Sequence, residues 1–337
     1  MGYERGIFNH AGPLHLSAVD WSNSGHRSSV AACLVQGAYS LERDRHGDGG
    51  APDSSWWEFF GFHLTQVLVD QEDRSIFGAI YELKFSPHSS SKHHHGGGGG
   101  NPPKHVIAFR GTLIKSDIRL DVKCISNTLQ KTSRVHVGFQ AVQAVISMAG
   151  AENVWLAGHS LGSSIALLVG RNMVKMGYHL ETYLFNPPFV SLPVHIFKNE
   201  KIRQGLRFAH TVVKAGMAFA NKKIAEDDEA FNLLLTWIPY LFINPSDPIC
   251  AEYLEYFNHR ETMVAAGAGE IGRFAARNSV RSMIMSASGK DSEPSHLIPS
   301  AYLTINLNHS PDLMAAHKLS QWWRPDLKLD YKLYQFR

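Results

Sequence analysis

Cysteine, charge and long apolar runs are all scarce in this chain. Its three cysteines, Cys33, Cys124 and Cys250, are scattered, odd in number and at no ligand spacing. That argues against a disulfide framework and favours free thiols in a reducing compartment. Charged residues make up 19% of the 337, and a net charge of +3 is too small to point to nucleic acid. The longest apolar run, Leu233 to Ile243, is too short for a bilayer and contains Pro239. Met1 to Gly6 has no apolar leader core, and Gly6 stands where a myristoylation signal wants Ser or Thr. A cytoplasmic protein is the expectation, with 44% hydrophobic residues to fill a sizeable core.

What is present is a series of short apolar strands: Val106 to Phe109, Val154 to Ala157, Thr182 to Phe185, Leu241 to Ile243 and Tyr302 to Leu307. Helical patterns separate most of them, such as Gly138 to Met148 and Ser163 to Met176. Such alternation predicts an α/β fold, a mostly parallel sheet with helices on both faces. Ahead of it, residues 25–44 read as an amphipathic helix with Val30, Leu34, Ala38 and Leu41 on one face. Phe62 to Val69 and Ile76 to Phe85 then read as a hairpin around the acidic turn Asp70-Gln71-Glu72-Asp73. Ser89 to Pro103 is a Ser/His/Gly/Pro tract; its adjacent His93, His94 and His95 make a poor preformed metal site, so no metal is expected. With no linker or repeat in view, residues 1–337 read as one domain. Its core spans 104–325, with helical insertions over 195–236 and 260–287.

The chemistry centres on residues 153–170. An apolar strand enters Gly158-His159-Ser160-Leu161-Gly162, and a small-residue helix leaves it. This is the strand–turn–helix setting of a G-x-S-x-G nucleophile elbow, in which a strained serine presents its hydroxyl at a sheet edge. A serine hydroxyl is a weak nucleophile and needs a histidine base, a carboxylate to orient that base, and an oxyanion hole. In this arrangement acid and base follow the serine in that order. Asp247, after Leu241 to Ile243 and the turn Asn244-Pro245-Ser246, is the best acid, and Glu252 a distant second. Asp227, Asp228 and Glu229 read as a solvated helix face. For the base, His296, His309 and His317 remain: His309 directly follows a strand, while His317 lies in a helix started by Pro311 and Asp312. The oxyanion hole asks for the N–H of Leu161 and a donor from an earlier strand end. Val106 to Thr112 is such an end, where Gly111 lets the backbone turn and Thr112 offers N–H and hydroxyl; the simpler reading is a glycine turn with Arg110 in a salt bridge.

Taken in order, Phe109-Arg110-Gly111-Thr112, His136-Val137-Gly138-Phe139, Gly158 to Gly162 and Asp247-Pro248 resemble the class 3 (fungal-type) lipase family of α/β-hydrolases. The resemblance covers about residues 104–323. The first hundred residues are similar to a plant lipase-like branch often labelled GDSL esterase/lipase, although no GDSL motif occurs here. It implies an α/β-hydrolase fold, Ser160 as nucleophile, Asp247 as acid, and Thr112 with Leu161 as oxyanion hole. It favours His317 over His309, because Ala316-His317 followed by Trp322 is similar to the family's terminal pattern. The implied activity is cofactor-free hydrolysis of a lipid or small acyl ester. Two segments depart from the family: Leu113 to Asp121 is more charged than a fungal lid, and Phe185-Asn186-Pro187-Pro188 replaces a Gly-rich turn.

Competing signals are weaker. Gly267-Ala268-Gly269-Glu270-Ile271-Gly272 matches the dinucleotide fingerprint, with Asp291 downstream, but a helical pattern precedes it where a strand is required. Arg273, Arg277 and Arg281 read first as a solvated helix face and second as a peripheral contact with anionic lipid. The rival function is a silent hydrolase-like scaffold that binds lipid or a protein partner.

Overall fold

The computed structural model describes residues 8–47, 53–84, 101–112, 132–189, 232–266 and 298–336. Among the described residues, eight strands form one mixed sheet whose spatial order is the order of the chain. They are β1 (Phe62–Val69), β2 (Ile76–Leu83), β3 (His105–Phe109), β4 (Val154–His159), β5 (Glu181–Phe185), β6 (Tyr240–Ile243), β7 (Ala301–Asn306) and β8 (Leu329–Tyr334). Strands β3 to β7 run parallel, and β1, β2 and β8 extend the two sides antiparallel.

The central strands are continuous apolar runs because both faces of the sheet are covered. Their side chains alternate between two cores. Ile107, Phe109, Leu156, Leu184, Leu241 and Leu303 point into one, and Val106, Ala108, Trp155, Ala157, Tyr183 and Phe242 into the other. When parallel strands follow each other in chain order, crossovers of one hand lay every connecting helix on the same face. Helices α4 (Ser133–Ala149), α5 (Leu161–Lys175) and α6 (Glu252–Ala266) accordingly share the first core. The opposite face is filled by α1 (Phe8–Ala11), α2 (Ser24–His46), α3 (Ser55–Glu58) and the 3-10 turn Leu319–Trp323. A short helix, α7 (Leu313–His317), precedes that turn.

Several sequence expectations need adjustment. Helix α2 does not have one apolar face: Val30 to Val35 are all buried, because Phe8, Trp56 and Trp57 pack in the same core. The acidic turn after β1 does more than join the two strands of the hairpin. Asp70 is buried, accepts from Ser133 Oγ at 2.6 Å and pairs with Arg134, so it ties the hairpin to the start of α4. Strand β8 was not anticipated, although Leu329-Asp330-Tyr331-Lys332-Leu333 alternates as an edge strand does. Helix α6 runs up to Ala266, so the segment before the glycine fingerprint is helical. The fingerprint itself lies outside the described residues, as do His93 to His95, Leu113 to Asp121, residues 195–231, Asp227 to Glu229, His296, Cys124 and the Arg273/Arg277/Arg281 stripe. Cys33 and Cys250 are buried free thiols.

Candidate active site

Strand β4 ends at His159, the chain reverses at Ser160 with φ 53° and ψ −126°, and α5 begins at Leu161. The reversal is tight enough to exclude side chains on either side. A Cβ at Gly158 would lie 2.3 Å from the Gly162 carbonyl oxygen, and one at Gly162 only 2.2 Å from that of Phe109. Ser160 N–H donates to the Phe185 carbonyl at 2.9 Å, and Ser163 Oγ donates to the carbonyls of Gly158 and Phe185 at 2.7 and 2.9 Å. These bonds stitch the turn to β5 and hold the strained residue in place.

The structure brings Ser160, His317 and Asp247 together. His317 Nε2 lies 3.0 Å from Ser160 Oγ, and its Nδ1 lies 2.7 Å from Asp247 Oδ2. Asp247 follows β6, and α7 carries His317, with Asp312 capping that helix by accepting from Ala315 N–H at 2.7 Å. Burial pushes the Asp247 pKa up. The hydrogen bond and charge of His317, the Ile249 N–H and the Asn186 amide outweigh it and hold the carboxyl below its usual value. His309 is exposed on the loop after β7, and Glu252 starts α6.

Thr112 follows β3, and its Oγ1 is buried with no hydrogen-bond partner among the described residues. An unpaired buried hydroxyl is costly unless something else uses it. Leu161, at the first position of α5, has an N–H that no carbonyl of its own helix can reach. Arg110 makes the salt bridge that the simpler reading gave it, and it also braces the turn. Its Nη1 donates to the Gly111 carbonyl at 2.7 Å, and its guanidinium pairs with buried Glu42 at 3.4 Å.

Several supporting residues carried no local signal. Gly111 N–H donates to Tyr39 Oη at 2.7 Å, Tyr39 Oη lies 2.8 Å from His159 Nδ1, and His159 Nε2 lies 2.8 Å from the His317 carbonyl. An N–H can only donate and a carbonyl only accept, so this relay runs one way and places the His159 proton on Nε2. Next to His317, Gln321 Nε2 donates to the Ala316 carbonyl at 2.7 Å, and its Oε1 accepts from Asn244 and Asn306 at 2.7 and 2.8 Å. Leu313 and Met314, one turn before His317 on the same short helix, are apolar yet exposed.

Among the described residues no group of three or more His, Cys, Asp or Glu could hold a metal ion. None of the described helices is long and apolar enough to cross a membrane.

No family model matches the chain, and no solved structure matches it. It is similar to a protein of Arabidopsis thaliana named GDSL esterase/lipase, with 42% identity over 353 aligned positions covering 99% of each chain. Identity at that level along the whole of both chains means common descent, and the protein belongs to the plant lipase-like family of that Arabidopsis relative.

Proposed function

We propose that the protein is a serine carboxylic-ester hydrolase with an α/β-hydrolase fold of the class 3 lipase type, acting on acyl esters of lipids. The observation that carries this reading is one imidazole within hydrogen-bond reach of both a strained serine and a buried carboxylate. His317 takes the Ser160 proton as Oγ attacks the acyl carbonyl, and Asp247 keeps the ring's Nδ1 proton facing away from the serine. Thr112 and Leu161 receive the oxyanion, each such donor lowering the barrier by about 3 kcal/mol. The unpartnered Thr112 hydroxyl supports that assignment. His317 then protonates the leaving alcohol, and water releases the acyl group from Ser160. No metal or organic cofactor enters these steps. The relative's name, esterase/lipase, supports the reaction class. Exposed Leu313, one helical turn before His317, with Met314 beside it, supports an apolar acyl chain over a polar ester.

The test is a fluorophosphonate probe together with nitrophenyl esters of increasing acyl length. Wild-type protein should label stoichiometrically and turn over the esters. Ser160→Ala should not label, and should lose about four orders of magnitude or more in kcat. A wild-type chain that neither labels nor hydrolyses any ester would reduce the protein to a scaffold that binds lipid or a partner.

A further inference from the structure

Resting on the ester-hydrolase reading, we propose that Asn186 is a positioning residue that locks the acid and the base of the site into one frame. Asn186 opens the Asn-Pro-Pro segment that departs from the fungal lipases, and nothing in the reaction as written uses it. It follows β5 with φ 46°, a left-handed conformation that asparagine tolerates better than most residues. Its backbone N–H donates to the Phe242 carbonyl at 2.9 Å, which fixes it against the end of β6.

The side chain is fully engaged. Nδ2 donates to Asp247 Oδ2 at 2.7 Å and to the Ala316 carbonyl at 3.1 Å, while Oδ1 accepts from Trp322 Nε1 at 2.7 Å. The orientation of the amide is not a free choice. A carboxylate and a carbonyl can only accept, and an indole N–H can only donate, so a flipped amide would break all three bonds. One planar group therefore spans the acid, the peptide before the base, and the 3-10 turn behind it.

Consider Asp247 without that amide. Ile249 N–H would still hold Oδ1 at 3.0 Å, but Oδ2, the oxygen that faces His317, would keep only the weak Cys250 thiol at 3.4 Å beside the imidazole. The carboxylate could then turn away as the imidazole gains and loses its proton. Asn186 is 0% exposed, so it cannot touch substrate, and its removal should act on turnover rather than on binding.

The experiment uses two variants of the full chain, with kcat counted per fluorophosphonate-titrated site on a soluble nitrophenyl ester. Asn186→Gly keeps the backbone conformation and removes all three bonds. Asn186→Asp keeps the shape and the Trp322 bond but replaces the donor by a second acceptor facing Asp247. Both should lose kcat by about 10- to 100-fold, the range expected for one hydrogen bond to a charged group, with KM within about two-fold of wild type. The rate of fluorophosphonate inactivation should fall by a similar factor. A folded Asn186→Gly with kcat per titrated site within about two-fold of wild type overturns the proposal. So does a pair of variants that fail to fold, which would make Asn186 a folding residue only. If wild-type Ser160 does not label, the hydrolase reading itself fails and takes this role with it, an outcome distinct from a defect seen only in the variants.

Discussion

His159 and His317 lie with ring centroids 4.9 Å apart, and His159 is the one whose surroundings exclude a second proton. Burial, reinforced by the charge of His317, lowers the His159 pKa from 6.5 to about 3, so it stays neutral with its single proton on Nε2. Neutrality is what the relay from Gly111 through Tyr39 requires, because Nδ1 must accept. The sign of the pH effect follows. In the unfolded chain His159 binds a proton near pH 6.5, and in the folded protein only near pH 3. The stability it allows is complete above 6.5 and is lost as pH falls toward 3, by an amount on the order of 4 kcal/mol. Denaturant unfolding of wild type and His159→Gln from pH 7 to pH 4 should show the gap between them shrinking as pH falls. A gap that stays constant across that range would remove the neutral-histidine account. Of the residues at this scale, Ser160 was legible because the strain of its turn demands glycines two positions away on either side. Tyr39, Asn186 and Gln321 were not, because nothing within a few residues of them specifies what they will bond.

At the scale of the element, the elbow illustrates local specification. A methyl group on Gly162 would meet the backbone oxygens of Phe109 and Arg110 at 2.2 and 2.7 Å, and backbone atoms in a central strand cannot step aside. Gly162→Ala should therefore cost about 3 kcal/mol or more, measured by chemical unfolding or by loss of soluble protein. Gly177→Ala makes the control. Its φ of 87° is left-handed but nothing lies within 4 Å, so only the backbone cost of about 1–2 kcal/mol should appear. Equal effects at the two sites would contradict the steric explanation. Helix α7 is the opposite case. Five residues are too few to be helical alone, and α7 holds its shape through Asp312 at one end and the Gln321 and Asn186 amides at the other. Its start was readable from Pro311 and Asp312. The choice of His317 over His309 was not readable from spacing, since both follow β7 and only docking onto Ser160 separates them.

At the scale of the whole molecule, the sequential strand order puts α4, α5 and α6 on one face and α2 on the other. That leaves β8 to close the sheet at the end of the chain. Six residues of β8 pair with β7 from Ala301↔Tyr334 to Asn306↔Leu329. Removing residues 329–337 would bare the edge of β7, a strand with an apolar core face and unpaired backbone donors and acceptors. The truncated chain should aggregate on size-exclusion chromatography and light scattering, while Leu333→Lys, at a position 53% exposed on the same strand, should remain monodisperse relative to wild type. A soluble, ester-cleaving truncation would mean that β8 is dispensable.

The amino-acid sequence by itself determined the alternating strands and helices, the elbow at Ser160 and the candidates for acid, base and oxyanion donors, because each depends on periodicity or on strain within a few residues. It did not determine the burial of α2 on all sides, the closing strand β8, or the amide and tyrosine relays that hold His317 and Asp247. Those depend on which surfaces meet after the sheet has formed. A hydrogen bond between positions 186 and 247, or 39 and 159, has no footprint in the chain until long-range packing excludes water and brings those polar atoms within reach of each other.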